Sequence, residues 1–281
     1  RIYINMEDKM TISFEDKVVI VTGAGGGLGR SHAIEFARRG AKVVVNDLGG
    51  SVDGSGGSSE AANNVVKEIT DSGGTAISNG SSVIDDDGVK NMVDQAMSEF
   101  GQIDILINNA GILRDRSFSK MSMEDFTLVN DIHLMGSVKP TKMVWEIMKE
   151  QNYGRILVTT SSTGLYGNFG QSNYGAAKLG LVGFINTLKL EGQKYNINCN
   201  VLCPVAYTRM TENLMPPEAE QLLTPRSVTP AVIYLSSENG PTGTILCAGA
   251  GVYSVAKIME SEGENIGLDA TDEYLEKNFE K

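Results

Sequence analysis

Short apolar runs rich in β-branched residues alternate along the chain with longer stretches whose apolar residues recur every three or four positions. The runs fall at residues 18–21, 43–45, 75–78, 103–107, 155–160, 198–202 and 244–248. Runs this short and this apolar predict strands buried on both faces, and the stretches between them predict crossover helices. Right-handed crossovers then give an α/β fold with a doubly wound parallel sheet of about seven strands and helices on both faces. In such a sheet, ligands bind beyond the carboxyl ends of the strands.

Chemistry-bearing residues cluster after those strands. The first run leads into Thr22-Gly23-Ala24-Gly25-Gly26-Gly27-Leu28-Gly29, then into a helical pattern with Ala33, Ile34, Phe36 and Ala37. Strand, glycine turn and helix present backbone N–H groups and a positive helix end to a pyrophosphate, the signature of a Rossmann fold. The spacing here is G-x-x-x-G-x-G, which departs from the usual G-x-G-x-x-G. The second strand ends at Asp47, where a carboxylate is placed to accept hydrogen bonds from the adenosine ribose hydroxyls. Asp47 would repel a 2′-phosphate and Gly26 offers no cation to attract one, so the cofactor expected is NAD rather than NADP. A turn or capping role is the competing reading of Asp47.

Tyr174 and Lys178 stand four apart in a helical stretch and share a face. A fixed cation favours the phenolate and lowers the tyrosine pKa from about 10 toward the working pH. Ser161, just past the fifth run, is placed to hydrogen-bond a substrate oxygen that carries charge during reaction. The three read as an acid/base site for an alcohol, although Tyr and Lys at this spacing also share ordinary solvated helix faces.

The ordered set Thr22-Gly-x-x-x-Gly-x-Gly29, Asn108-Asn109-Ala110-Gly111, Ser161 and Tyr174-x-x-x-Lys178 resembles the short-chain dehydrogenase/reductase family over residues 14–253. A narrower similarity rests on three segments. They are Asn46-Asp47-Leu48-Gly49-Gly50 with its Gly/Ser-rich continuation, Gly111-Ile112-Leu113-Arg114-Asp115-Arg116-Ser117-Phe118, and Tyr166-Gly167-Asn168-Phe169-Gly170-Gln171. These are similar to the (3R)-hydroxyacyl-CoA dehydrogenase units of the type 2 peroxisomal multifunctional enzymes. The resemblance implies NAD-dependent oxidation of a (3R)-3-hydroxyacyl-CoA to the 3-oxoacyl-CoA in fatty-acid β-oxidation, in the peroxisome. Tyr174 would take the hydroxyl proton, Ser161 would steady the oxygen, and Lys178 would hold the phenolate and the nicotinamide ribose. It assigns the cofactor to Gly23, Gly27, Leu28, Gly29, Asp47, Ser82, Val83, Asn109, Ala110, Gly111, Tyr174, Lys178, Pro204 and Thr208.

The chain departs from the family pattern in places. Val205 replaces a glycine after Pro204. Ser81 replaces an aspartate expected to touch adenine. His133 stands where the wider family has an Asn that helps hold a proton-conducting water, and the narrower group commonly carries His there. Either its backbone carbonyl or its imidazole would serve that path, and Asn130, one turn earlier, is a candidate assistant. The resemblance also implies a homodimer, or pairing with a tandem homologous unit, through helices at about residues 122–149 and 173–194. Trp145, Met148, Leu181, Phe184 and Leu188 would supply apolar surface there.

Composition narrows the classes. With 281 residues, one α/β domain suffices. The expected division is an extension at 1–13, the dehydrogenase domain at 14–256 and an acidic tail or linker at 257–281, where Leu275 and Phe279 would form a short amphipathic turn. A start at Arg1 reads as a fragment or processed chain. A net charge of −11 and pI near 4.8 argue against a nucleic-acid partner. No apolar run reaches membrane-span length, so no membrane partner is expected. The acyl-CoA partner is polyanionic and needs a locally basic site, for which Arg114, Arg116 and Lys120 are candidates, a solvated charge cluster being the alternative. Three cysteines fit a reducing compartment. Cys199 and Cys203 would share a strand face, read as buried thiols rather than a redox or metal pair, and no metal is assigned. Residues 49–59 predict a mobile loop and 211–225 a substrate lid. Two other functions stay open: a dehydrogenase of another alcohol such as a steroid or sugar, and a non-catalytic dinucleotide-binding assembly module.

Overall fold

The computed structural model describes residues 12–212, 215–268 and 271–278. Residues 1–11 of the expected extension, and Phe279 of the expected amphipathic turn, lie outside them. Among the described residues, eight strands form one sheet: β1 (Val18–Thr22), β2 (Lys42–Asn46), β3 (Thr75–Asn79), β4 (Ile105–Asn108), β5 (Gly154–Thr159), β6 (Ile197–Pro204), β7 (Ile245–Gly249) and β8 (Val252–Ala256). Their order is β3-β2-β1-β4-β5-β6-β7-β8, parallel from β3 to β7. The chain therefore reverses its winding between β1 and β4, and a crevice opens there at the carboxyl ends. All five residues of β1 are buried, as a β-branched strand covered by helices on both faces requires.

Among the described residues, ten helices cover the sheet or follow it: α1 (Gly27–Arg38), α2 (Glu60–Asp71), α3 (Asp86–Phe100), α4 (Met123–Asn130), α5 (Gly136–Gln151), α6 (Ser162–Tyr166), α7 (Ser172–Gly192), α8 (Ala219–Leu222), α9 (Thr229–Leu235) and α10 (Asp272–Asn278). Local chemistry sets several ends. The Asp85 carboxylate accepts from the Gly88 N–H to start α3, and Gly101 at φ 79° stops it. Ser122 Oγ accepts from the Asp125 N–H to start α4. No helix of the described residues is long and apolar enough to cross a membrane.

The structure departs from the expected details in three places. An eighth strand, β8, returns antiparallel to β7 through the two-residue loop Ala250-Gly251, both at positive φ. That is the geometry of a type I′ hairpin, and the alanine in it hid the turn. The helix expected near 122–149 is broken by a π-helical turn, Asp131–Met135. Trp145, Met148 and Leu181 are buried, and Phe184 and Leu188 pack against the same core. Trp145, Met148 and Leu181 therefore face the sheet and supply no outer apolar surface, while Phe184 and Leu188 are half-buried. Residues 49–59 carry local hydrogen bonds: Asp53 Oδ1 accepts from Ser51 Oγ, Ser55 Oγ and the Ser55 N–H, and the Ser58 N–H donates to the Leu48 carbonyl.

Candidate active site

The glycine turn is fastened to the end of β4. Thr22 Oγ1 accepts from the N–H groups of Asn109 (3.0 Å) and Ala110 (3.1 Å), and Asn109 Nδ2 donates to the carbonyls of Thr22 and Gly23. A Cβ on Gly29 would lie 2.2 Å from the Gly23 carbonyl oxygen, so only glycine lets α1 begin this close to the turn. The Asp47 carboxylate is 9 % exposed and held by two backbone donors, Gly25 N–H at 2.7 Å and Gly49 N–H at 2.6 Å. It thus fastens the turn and also lines the cleft, so the two sequence readings of Asp47 are compatible.

That cleft, about 1140 Å³ including its open mouth, is lined by Gly23, Gly27, Leu28, Asp47, Ser82, Val83, Asn109, Ala110, Gly111 and Thr208 of the expected cofactor residues. Gly29, Pro204, Tyr174 and Lys178 do not line it. Gly50, Ser51, Gly54, Ile112, Leu128, Ile132, Arg209 and Met210 line it unforeseen. The Ser51-x-Asp53-x-Ser55 spacing was the available signal for the first three. The residues present fit a dinucleotide: Gly27 is left-handed (φ 52°) with Thr208 beside it, an added Cβ on Gly26 would meet nothing, and the free N–H groups of the α1 start face an acid-flanked crevice. Ser81 hydroxyl is spent on Asn91, within a polar network joining Asn46, Asn79, Asn91 and Gln95.

Ser161, Tyr174 and Lys178 converge past β5. Ser161 caps α6, its Oγ accepting the Thr163 N–H at 3.2 Å, and its hydroxyl lies near enough to the Tyr174 phenol to favour the phenolate. Lys178 is buried, lies 5.4 Å from the Tyr174 ring centre and donates to the Thr159 carbonyl at 2.5 Å. Burial pushes Tyr174 up to about 12, with the Ser161 hydrogen bond opposing and the Asp115 carboxylate adding. Burial pushes Lys178 down to about 7. The lowering of the tyrosine expected from Lys178 is not found among the influences on Tyr174, where desolvation dominates, because loss of water penalises phenolate and ammonium alike.

His133 sits in the π-helical turn and is buried. Its Nε2 lies 2.8 Å from the Ile112 carbonyl and 3.1 Å from the Ile112 N–H, so one tautomer donates and the other accepts. Its ring stands edge-on to Tyr174, centroids 5.0 Å apart. Burial, then the Lys178 charge, hold its pKa well below the usual value. The His133 carbonyl accepts from Ser137 Oγ at 2.7 Å. Asn130 Nδ2 donates to the Phe126 carbonyl and reaches the Asn173 carbonyl, beside Tyr174.

Of the candidate CoA cations, Arg114 pairs with Asp125 at 2.7 Å and donates to the Asp53 carbonyl, while Arg116 and Lys120 are exposed. Cys199 and Cys203 are buried in β6, and burial raises both thiols to about 12. Cys247 lies opposite Cys203 in β7.

The profile described as short chain dehydrogenase matches residues 17–219. Peroxisomal multifunctional enzyme A of Dictyostelium discoideum is 51% identical over 96% of this chain and 60% of its own length. Peroxisomal hydratase-dehydrogenase-epimerase of Saccharomyces cerevisiae is 50% identical over 92% of this chain and 29% of its own. The chain therefore spans less than two thirds of either relative. A solved 7α-hydroxysteroid dehydrogenase, complexed with NADH and 7-oxo glycochenodeoxycholic acid, has a TM-score of 0.76 at 28% identity, covering 85% of this chain and 95% of that one.

Proposed function

The chain belongs to the short-chain dehydrogenase family, whose members bind a nicotinamide dinucleotide, and from that premise we propose that it oxidises (3R)-3-hydroxyacyl-CoA to 3-oxoacyl-CoA with NAD⁺ in β-oxidation. The observation that carries this reading is the convergence of Ser161, Tyr174 and Lys178 past β5, together with a cleft lined by the glycine turn and an acid, Asp47. Thioester chemistry is supported by the names of two half-identical relatives, a multifunctional enzyme and a hydratase-dehydrogenase-epimerase. A hydratase acting on an enoyl thioester makes a 3-hydroxyacyl thioester, the substrate a dehydrogenase in the same chain would oxidise.

In this mechanism Tyr174 removes the hydroxyl proton, and Ser161 holds the same oxygen as it becomes a carbonyl. Bound NAD⁺ supplies the hydride acceptor. Lys178 lies beneath the Tyr174 ring and stabilises the phenolate whenever it is charged; with its pKa near 7, it is poised to exchange its proton. Asp47 would accept the adenosine ribose hydroxyls, and the N–H groups at the start of α1 would face the pyrophosphate. Residues 14–256 form the catalytic domain, residues 211–225 the lid and residues 257–281 a tail or linker. A homodimer, or pairing with a homologous unit, and a peroxisomal location complete the proposal.

NADH formation across (3R)- and (3S)-3-hydroxyacyl-CoAs of graded length, with hydroxysteroids alongside, tests it. The (3R) thioesters should be oxidised, NAD⁺ should serve far better than NADP⁺, and Tyr174→Phe should cut turnover by about 10² to 10⁴-fold. Oxidation of steroids and not thioesters would favour the second reading, which the likeness to the hydroxysteroid dehydrogenase supports. Binding of NAD without oxidation of any alcohol would leave the assembly module.

A further inference from the structure

Among the described residues that line the cleft, Arg209 is the one cation and Asp47 the one acid. Arg209 is exposed, and its guanidinium has no ion pair or hydrogen bond with any other described residue. The backbone that carries it is tied into a turn. The Thr208 N–H donates to Thr211 Oγ1 at 2.9 Å, and Thr211 Oγ1 donates to the Ala206 carbonyl at 2.7 Å. The N–H groups of Thr211 and Glu212 both donate to the Thr208 carbonyl at 2.8 Å. This turn abuts the glycine turn, since a Cβ on Gly27 would lie 3.5 Å from Thr208 Cγ2. Arg209 is the next residue after that contact, and it lines the same cleft as Gly26, Gly27 and Leu28 at the start of α1.

Charge in the cleft is out of balance for the ligand that the glycine turn fits. A helix end is worth roughly half an elementary charge. A pyrophosphate is doubly negative, the cleft also holds the Asp47 carboxylate, and the chain carries a net charge of −11. A full cation with no carboxylate to neutralise it offsets that deficit. Of the parts of NAD⁺, the adenine is neutral, the nicotinamide is cationic and the adenosine ribose falls to Asp47. The pyrophosphate is the anion left for a guanidinium. The phosphates of CoA are anions as well, but Ser161, Tyr174 and Lys178, where the substrate reacts, do not line this cleft.

Resting on the dinucleotide reading above, we propose that Arg209 is a cofactor-binding residue whose guanidinium takes the pyrophosphate together with the N–H groups at the start of α1. A planar fork of donors suits phosphate oxygens better than the point charge of a lysine does. The turn at 208–212 holds the backbone in place beforehand, so that binding orders one side chain rather than a loop.

The test is binding of NADH by fluorescence titration, and of ADP-ribose by competition against it, to the wild-type protein, Arg209→Met and Arg209→Lys. ADP-ribose keeps the pyrophosphate and lacks the nicotinamide. Arg209→Met should weaken both ligands by about tenfold or more at low salt, the worth of a charge-assisted hydrogen bond. Added salt should narrow the gap, and Arg209→Lys should recover part of it. The side chain is exposed and unpaired, so both variants should melt with the wild type. Unchanged affinity for both ligands in Arg209→Met would overturn the assignment. So would a loss confined to NADH, which would move the guanidinium to the nicotinamide end, or a loss that tracks a lowered Tm, the mark of a structural role. If the wild-type protein binds neither NADH nor ADP-ribose, the dinucleotide reading itself fails and the inference falls with it.

Discussion

Replacing His133 by alanine separates a proton relay from a wall that holds the tyrosine. The fold loses one hydrogen bond to Ile112, worth about 1 kcal/mol, and an edge-to-face pair with Tyr174, worth about 0.5–1.5 kcal/mol. With the cavity left by a buried ring, the total is about 3 kcal/mol, which lowers Tm by about 6–12 °C for a chain of this size. Tyr174 loses its lateral support, so turnover should fall about tenfold. The pH dependence gives the sharper readout. His133 stays neutral in the fold because burial and Lys178 hold its pKa well below 6.5, while the unfolded chain protonates it near 6.5. Its contribution to stability is therefore present above pH 6.5 and is lost as pH falls below that value. His32, lowered by burial to about 3, acts in the same direction. The His133→Ala variant should show an acid-side slope in urea-derived stability shallower by up to about 1.4 kcal/mol per pH unit, one proton fewer. Its rate profile between pH 6 and 7 should keep the wild-type shape. An inflection near pH 6–7 in the wild-type rate that vanishes in both His133→Ala and His133→Asn, with the stability slope unchanged, would mean that the imidazole titrates in the fold. The argument would then be refuted.

Asp47→Ala should weaken NAD⁺ binding and relax the preference over NADP⁺ in fluorescence titration; it should also lower Tm, since the carboxylate holds the Gly25 and Gly49 N–H groups. An unchanged Tm would show those two bonds to be dispensable. Gly26→Ala should leave the fold intact, because no protein atom lies within 4 Å of the added methyl, but should weaken dinucleotide binding, since that methyl enters the cleft; Gly29→Ala drives a methyl into the Gly23 carbonyl and should abolish folding as well. Equal behaviour of the two variants in calorimetry would contradict that geometry. Arg155→Met strands the carbonyls of Asn196, Ser237 and Glu238, which the buried guanidinium now serves, and should cost about 3–5 kcal/mol in denaturant unfolding. A loss below about 1 kcal/mol would mean that those carbonyls find other donors.

The parallel sheet, its strands and the places where chemistry collects were legible because local forces write them into the chain. A β-branched run such as Val18-Val19-Ile20-Val21 is a strand wherever it is covered on both faces, and glycine at position 29 marks a close approach that no other residue permits. The Tyr174–Lys178 spacing fixes a shared helix face by geometry alone. What the side chains do at their destinations was decided by tertiary packing. Desolvation raised Tyr174 and lowered Lys178, because burial depends on neighbours from β5, α6 and the π-helical turn rather than on the helix that carries them. Trp145, Met148 and Leu181 could face the sheet or a partner with equal helical periodicity, and only the packed structure turned them inward. Asp115 and Gln171 stand 56 residues apart in the chain, and no local pattern announces that they meet. The hydrogen bond between them exists only because β4 and the start of α7 open on the same end of the sheet.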